Sequence, residues 1–187
     1  MMVDIELRRD ASDAGDEVRR LLREASDEFV PPLAGREGTT QTDDLDDTDG
    51  DDLDTYYQQC IEQTFLLAWA DESLAGFLSF RHDYTADALD GYTPANYVST
   101  IIVDESHRRQ GVATALYRAL LTELPPALEL PYVATRTWST NDSHLTLLRD
   151  LGFERIETIP DDRGEGIDTV YYAIDVASVN PDADDSD

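Results

Sequence analysis

Hydrophobic positions along the chain switch between a two-residue period and a three-to-four-residue period. In VDIELR, Val3, Ile5 and Leu7 alternate with polar neighbours, which predicts a first strand with one buried face. Val18, Leu21, Leu22, Ala25 and Phe29 then recur at helical spacing, with Ser12 placed as an N-cap and VPPLAG as the stop. TFLLAWA and LAGFLSFRH, separated by DES, read as an antiparallel hairpin. NYVSTIIV is almost continuously apolar, the pattern of a strand covered on both faces. Helical spacing returns in GVATALYRALLTEL, where Val112, Leu116, Ala119 and Leu120 share a face. LPYVATRTW is a further strand, SHLTLLRDL a short helix, and FERIETI with DTVYYAIDV a last antiparallel pair around PDDRGEG. These elements predict one α/β domain over residues 1–176, a mixed α+β arrangement of about seven strands flanked by about four helices. The residues from 177 to 187 lack periodicity and read as an acidic disordered tail.

Charge changes this picture by exclusion. The formal net charge is −27, with 41 carboxylates against 14 basic side chains, and every basic residue is arginine. Nucleic acid and anionic membranes need clustered positive charge, so neither is expected as a partner. The bias resembles that of proteins from salt-in halophiles, where a Debye length of about 3 Å at molar salt screens the self-repulsion of such a surface. Residues 43–54, DDLDDTDGDDLD, invite a calcium reading, but Leu45 and Tyr56 fall on required ligand positions of an EF-hand loop. A solvated flexible loop is expected there instead. The single cysteine, Cys60, reads as core, and His82, His107 and His144 show no metal-ligand spacing, so no metal is expected. No leader-like start and no run of eighteen apolar residues occurs, which predicts a soluble cytoplasmic protein.

Against this acidity, SHRRQGVAT at residues 106–114 sets two arginines beside a glycine and small residues, between a strand ending at Val103 and a helix opening near Gly111. The first turn of a helix carries N–H groups without intrahelical partners, and the helix dipole adds partial positive charge. Gly111 and Ala113 keep side chains out of the way, while Arg108 and Arg109 add forked donors and Thr114 a hydroxyl. A pyrophosphate cradle results. A P-loop is excluded because the chain has no lysine, and a dinucleotide fingerprint because only one of its three glycines is present.

The pattern Arg-x-x-Gly-x-Ala at residues 108–113, followed by NDSHLTLLRDLGFE from Asn141, resembles the GNAT superfamily of N-acetyltransferases, and the specific motifs span residues 97–153. The resemblance implies a GNAT-like fold and acetyl-CoA as donor co-substrate. It implies that the backbone of Ile101, Ile102 and Val103 pairs with the pantetheine arm. It further implies that the segment Arg108, Arg109, Gln110, Gly111, Val112, Ala113 and Thr114 holds the pyrophosphate, and that Asn141 contacts the coenzyme arm. From the residues alone, Asn141 also suits an N-cap. The acceptor implied is an amine, on a small molecule or a protein, and a homodimer is brought into view because dimers are common in the family.

The chemistry departs from the family at one position. A tyrosine that protonates the leaving thiolate in many members is here Leu148. Ser139, Thr140 and Ser143 are the neighbouring hydroxyls, with Ser143 one catalytic candidate and His82, as a base, the other. The same departure motivates an alternative function, an acyl-CoA-binding sensor or interaction module that does not transfer.

Overall fold

The computed structural model describes residues 3–9, 14–33 and 52–179. Its elements are β1 (Asp4–Arg8), α1 (Gly15–Ala25), α2 (Asp52–Ile61), β2 (Thr64–Ala70), β3 (Ser73–Tyr84), β4 (Ala95–Val103), α3 (Val112–Thr122), β5 (Tyr132–Trp138), α4 (Asp142–Asp150), β6 (Glu154–Ile159) and β7 (Thr169–Asp175). The strands form one seven-stranded mixed sheet in the order β1-β2-β3-β4-β5-β7-β6. β4 and β5 run parallel, aligning Ala95 with Tyr132 and Val98 with Thr135, whereas β1–β2, β2–β3, β5–β7 and β6–β7 are antiparallel. The mixed α/β architecture expected from periodicity is therefore present.

The chain divides into two compact units, Met1–Arg81 with Ser99–Leu116, and His82–Val98 with Tyr117–Asp187. In the first, Val18, Leu21 and Leu22 of α1 and Tyr56 and Cys60 of α2 pack with Phe65, Phe77 and Ile102 of the strands. Burial pushes the Cys60 thiol pKa up to about 11; the thiol donates to the Ser79 hydroxyl, and the residue is inert core as read from sequence. In the second unit, Leu89, Ala95, Tyr97, Ala134, Tyr171 and Ala173 form the core cluster.

Four expectations are corrected. The cap position of α1 is held by Ala14, without a side-chain bond, and Ser12 lies outside the described residues. Asp52, Leu53 and Asp54 are not loop but the first turn of α2, where the Asp54 carboxylate lies near the positive end of the helix dipole; residues 43–51 lie outside the described residues. Val176–Ser178 closes a short turn in which the Asp175 carboxylate accepts from the Ala177 N–H, so order extends to residue 179, and 180–187 lie outside the described residues. The continuous burial read for β4 holds from Ala95 to Val98. From Ser99 onward every second residue is half-exposed, because Ser99, Ile101 and Val103 share a less covered face.

Candidate coenzyme site

At the C-terminal end of β4, Asp104 turns the chain. Its carboxylate accepts from the Ser106 hydroxyl and from the Ser106 N–H at 3.0 Å, and it pairs with Arg20 of α1 at 2.9 Å. The Ser106 hydroxyl, then Arg20, hold the Asp104 carboxyl well below the usual carboxylate range. Arg20 is itself bracketed by Glu17 and Glu24, so a charge cluster fixes the start of the loop to α1. No local sequence signal connects Asp104 to its partner 84 residues away.

The loop is closed from the other side by Arg108. Its Nε donates to the Val103 carbonyl at 3.2 Å and its Nη2 to Glu28 at 2.8 Å. Arg108 thus braces the loop, and its guanidinium is engaged in the way a structural arginine is. Gln110 donates to the Ser106 carbonyl at 2.9 Å, a second internal tie. Arg109 is exposed, and it forms no ion pair among the described residues.

Arg109 and Gly111 both have left-handed backbone, with φ of 59° and 85°. Such alternation turns successive N–H groups toward one concavity, the geometry of anion-binding nests. The first bond of α3 runs from the Ala115 N–H to the Gly111 carbonyl at 2.9 Å. Gly111 therefore occupies the N-cap position and brings no side chain to cap with, so the N–H groups of Val112, Ala113 and Thr114 have no intrahelical acceptor. A Cβ placed on Gly111 would meet no protein atom within 4 Å. The space that a Gly111 side chain would fill is open, which suits the approach of a phosphate. Gly76 matters for the opposite reason: a Cβ there would lie 2.7 Å from the Ile102 carbonyl oxygen and 3.2 Å from a Val112 methyl. Its absence lets β3 approach β4 directly below the start of α3.

The first unit therefore brings Ile101, Ile102 and Val103 together with Arg108 through Thr114. Ile102 is buried, Ile101 and Val103 are half-exposed, and the Val103 carbonyl already accepts from Arg108.

The remaining sequence candidates belong to the second unit. Asn141 is the N-cap of α4: its Oδ1 accepts from the His144 N–H at 3.4 Å and its Nδ2 donates to the Thr137 hydroxyl at 3.1 Å. Both ends of the amide are in use, leaving one N–H and one lone pair for another contact. Ser143 is exposed on the first turn of α4, and Leu148 is fully buried. His144, set aside from sequence, is half-buried and bonds through Nε2 to the Tyr117 hydroxyl at 2.9 Å, tying α4 to α3. Burial lowers its pKa to about 4, so the pair is neutral.

His82 is exposed, and its orientation is fixed by a chain of bonds. The Asn96 Nδ2 donates to the Leu128 carbonyl at 2.8 Å, which turns Oδ1 toward His82 Nδ1 at 2.9 Å. An amide oxygen only accepts, so Nδ1 carries the proton and the Nε2 lone pair of the neutral ring faces away from Asn96. Among the described residues no group of three or more His, Cys, Asp and Glu is arranged to hold a metal, and no helix is long and apolar enough to cross a membrane.

Residues 21–153 match the family model described as acetyltransferase (GNAT) family. The chain belongs to this family. As a GNAT acetyltransferase it has no match among curated proteins, but many solved structures share its fold. An N-acetyltransferase from Staphylococcus aureus is 16% identical, with a TM-score of 0.62 over 92% of this chain and 99% of that one. The yncA structure from Salmonella typhimurium, solved with its cofactor acetyl-CoA, is 18% identical, with a TM-score of 0.61 over 96% of this chain and 98% of that one. A ribosomal-protein-alanine N-acetyltransferase from Brucella melitensis is 16% identical, with a TM-score of 0.63 over 91% and 99% of the two chains. At these identities the likeness establishes the GNAT fold, and the residues must speak for the site.

Proposed function

We propose that this GNAT acetyltransferase moves the acetyl group of acetyl-CoA to an amine, on a small molecule or a protein, by direct attack of the nitrogen in a ternary complex. The observation that carries the donor half is the N-terminus of α3, where Gly111 leaves three N–H groups without a side-chain cap and the space beside Gly111 itself is clear. The residues fit a pyrophosphate: Val112, Ala113 and Thr114 supply N–H donors, Arg109 supplies exposed charge, and Arg108 and Gln110 hold the loop in shape. The backbone of Ile101–Val103 is the strand along which the pantetheine arm would lie, and Asn141 retains one N–H for it.

In the transfer, a C–N bond forms as the C–S bond breaks, the nitrogen gives up one proton, and the sulfur leaves as thiolate and is protonated. His82 is the base candidate, because Asn96 fixes the tautomer that leaves Nε2 able to accept a proton. With Leu148 in place of a tyrosine, departure relies on Ser143 or on the thiol itself, whose ordinary pKa near 8.5 makes it a fair leaving group. Leu148 also favours the second reading, acyl-CoA binding without transfer. The all-arginine, strongly acidic composition supports a molar-salt cytoplasm as the working environment, so assays belong in molar potassium chloride.

Thermal unfolding and thiol release over an amine panel test the proposal together. Acetyl-CoA at 100 times its dissociation constant is expected to stabilise the protein by about 2.7 kcal/mol. Absence of any shift overturns both readings, and a shift without thiol release leaves only the sensor.

A further inference from the structure

Arg136 lies midway along β5, in register with Tyr171 of β7 and on the strand face that carries Ala134 and Trp138. It is half-buried, and its Nη1 donates to the Tyr171 hydroxyl at 3.3 Å. Its other electrostatic neighbours are Tyr97 and Tyr84, whose rings stack at 4.6 Å between centroids. Burial by itself lowers the pKa of the guanidinium, but the surrounding phenols outweigh this and keep it above its ordinary value. Burial likewise pushes the Tyr97 hydroxyl far above the ordinary phenol range, against the pull of Arg136, so no phenolate is present as a counter-ion.

What sets this arginine apart is its company. Arg20 holds three carboxylates and Arg108 one, in a chain with 41 carboxylates available. No carboxylate among the described residues pairs with Arg136. A guanidinium presents five N–H donors, and among the described residues one is used here. Holding a half-buried positive charge among neutral aromatic rings without an anion is costly, and a fork of free donors matches a carboxylate in bidentate geometry. The pyrophosphate of the donor is already assigned to the α3 N-terminus, which leaves the second substrate as the source of an anion.

We propose that Arg136, framed by Tyr84, Tyr97 and Tyr171, binds a carboxylate of the acceptor, so that the preferred acceptors are amines that also carry a carboxylate. The inference rests on the acetyl-transfer reading and deepens it by naming the acceptor class.

The test uses matched acceptors, each an amino acid beside its carboxamide and its decarboxylated amine, with thiol release measured in molar potassium chloride. Wild-type protein is expected to favour the carboxylate member by roughly 100-fold in kcat/KM, mostly through KM. Arg136→Gln is expected to bring the three within about threefold of one another while leaving the acetyl-CoA dissociation constant unchanged. Arg136→Lys, which keeps the charge without the fork, is expected to fall between, and it serves if the glutamine variant does not fold. Equal use of the three acceptors by wild type overturns the inference and leaves acetyl transfer standing. Weakened acetyl-CoA binding in Arg136→Gln also overturns it, by giving the guanidinium to the donor's phosphates. If acetyl-CoA binds but no panel member is acetylated, thermal stabilisation by the carboxylate member over its carboxamide supports the inference, and its absence overturns it. Failure of acetyl-CoA to bind removes the transfer reading and the inference with it.

Discussion

The helices α3 and α4 begin in opposite ways. At α4 the Asn141 side chain accepts from the His144 N–H and donates to Thr137, closing the helix end with the chain's own groups. At α3 the same position is Gly111, which leaves the first-turn N–H groups of Val112, Ala113 and Thr114 without a side-chain cap and opens the space beside itself. Neither helix lacks good alternatives, since serine, threonine and aspartate are abundant in this sequence and all cap well. The contrast teaches that an uncapped N-terminus, braced by Asp104, Arg20 and Arg108, is what the proposed donor site needs, whereas a capped one serves stability.

The largest effect is expected from placing a carboxylate where the open end would receive an anion. Ala113→Glu sits in the first turn of α3, where negative charge is favourable to the helix, so the melting temperature should hold or rise. Acetyl-CoA affinity, measured by calorimetric titration, should fall by 100-fold or more.

The next effect belongs to the closed end. The folded-state pKa of His144 is lowered to about 4 by burial, below the 6.5 of an unperturbed histidine. Between those values the unfolded chain binds a proton that the folded one refuses, so stability falls as pH drops from about 6.5 to about 4 and this contribution levels off below. Urea unfolding across that window should show a loss of roughly 3 kcal/mol. His144→Gln should flatten it. Carboxylates such as Asp104, whose pKa is depressed, act at lower pH, with stability lost as pH falls below the ordinary aspartate range.

A smaller change follows from opening the closed end. Asn141→Ala should cost about 1 kcal/mol in unfolding free energy, the ordinary price of a lost cap. The smallest concerns the brace. Arg108–Glu28 is a largely exposed pair, so Glu28→Gln should change stability by less than about 1 kcal/mol and KM for acetyl-CoA by no more than about threefold. A large loss of affinity in that variant would mean that loop shape depends on Glu28 more than the Val103 and Ser106 ties imply.

The contrast between helix ends was partly legible in the sequence. Gly111 and Asn141 stand in recognisable motifs, and the strands and helices that carry them follow the hydrophobic period closely. The second helix was not legible in the same way, because Asp52 and Asp54 continue an aspartate run whose composition reads as solvated loop. Tyr56 and Cys60, buried on one face of that helix, decide the matter through tertiary contacts. Arg108 was recognisable as a motif residue, but its engagement by Glu28 depends on a partner 80 positions away. Arg136 carried a signal that went unused, a charged residue in the middle of an otherwise apolar and hydroxylic strand. The fixed tautomer of His82 depends on Leu128, which no spacing rule connects to it.

The donor claim is tested most directly by following backbone amide resonances during titration with acetyl-CoA in molar potassium chloride. Saturable shifts at Val112, Ala113 and Thr114, following the same binding curve as calorimetry, are the predicted result. Binding by calorimetry with those three resonances unmoved would place the pyrophosphate elsewhere and contradict the account.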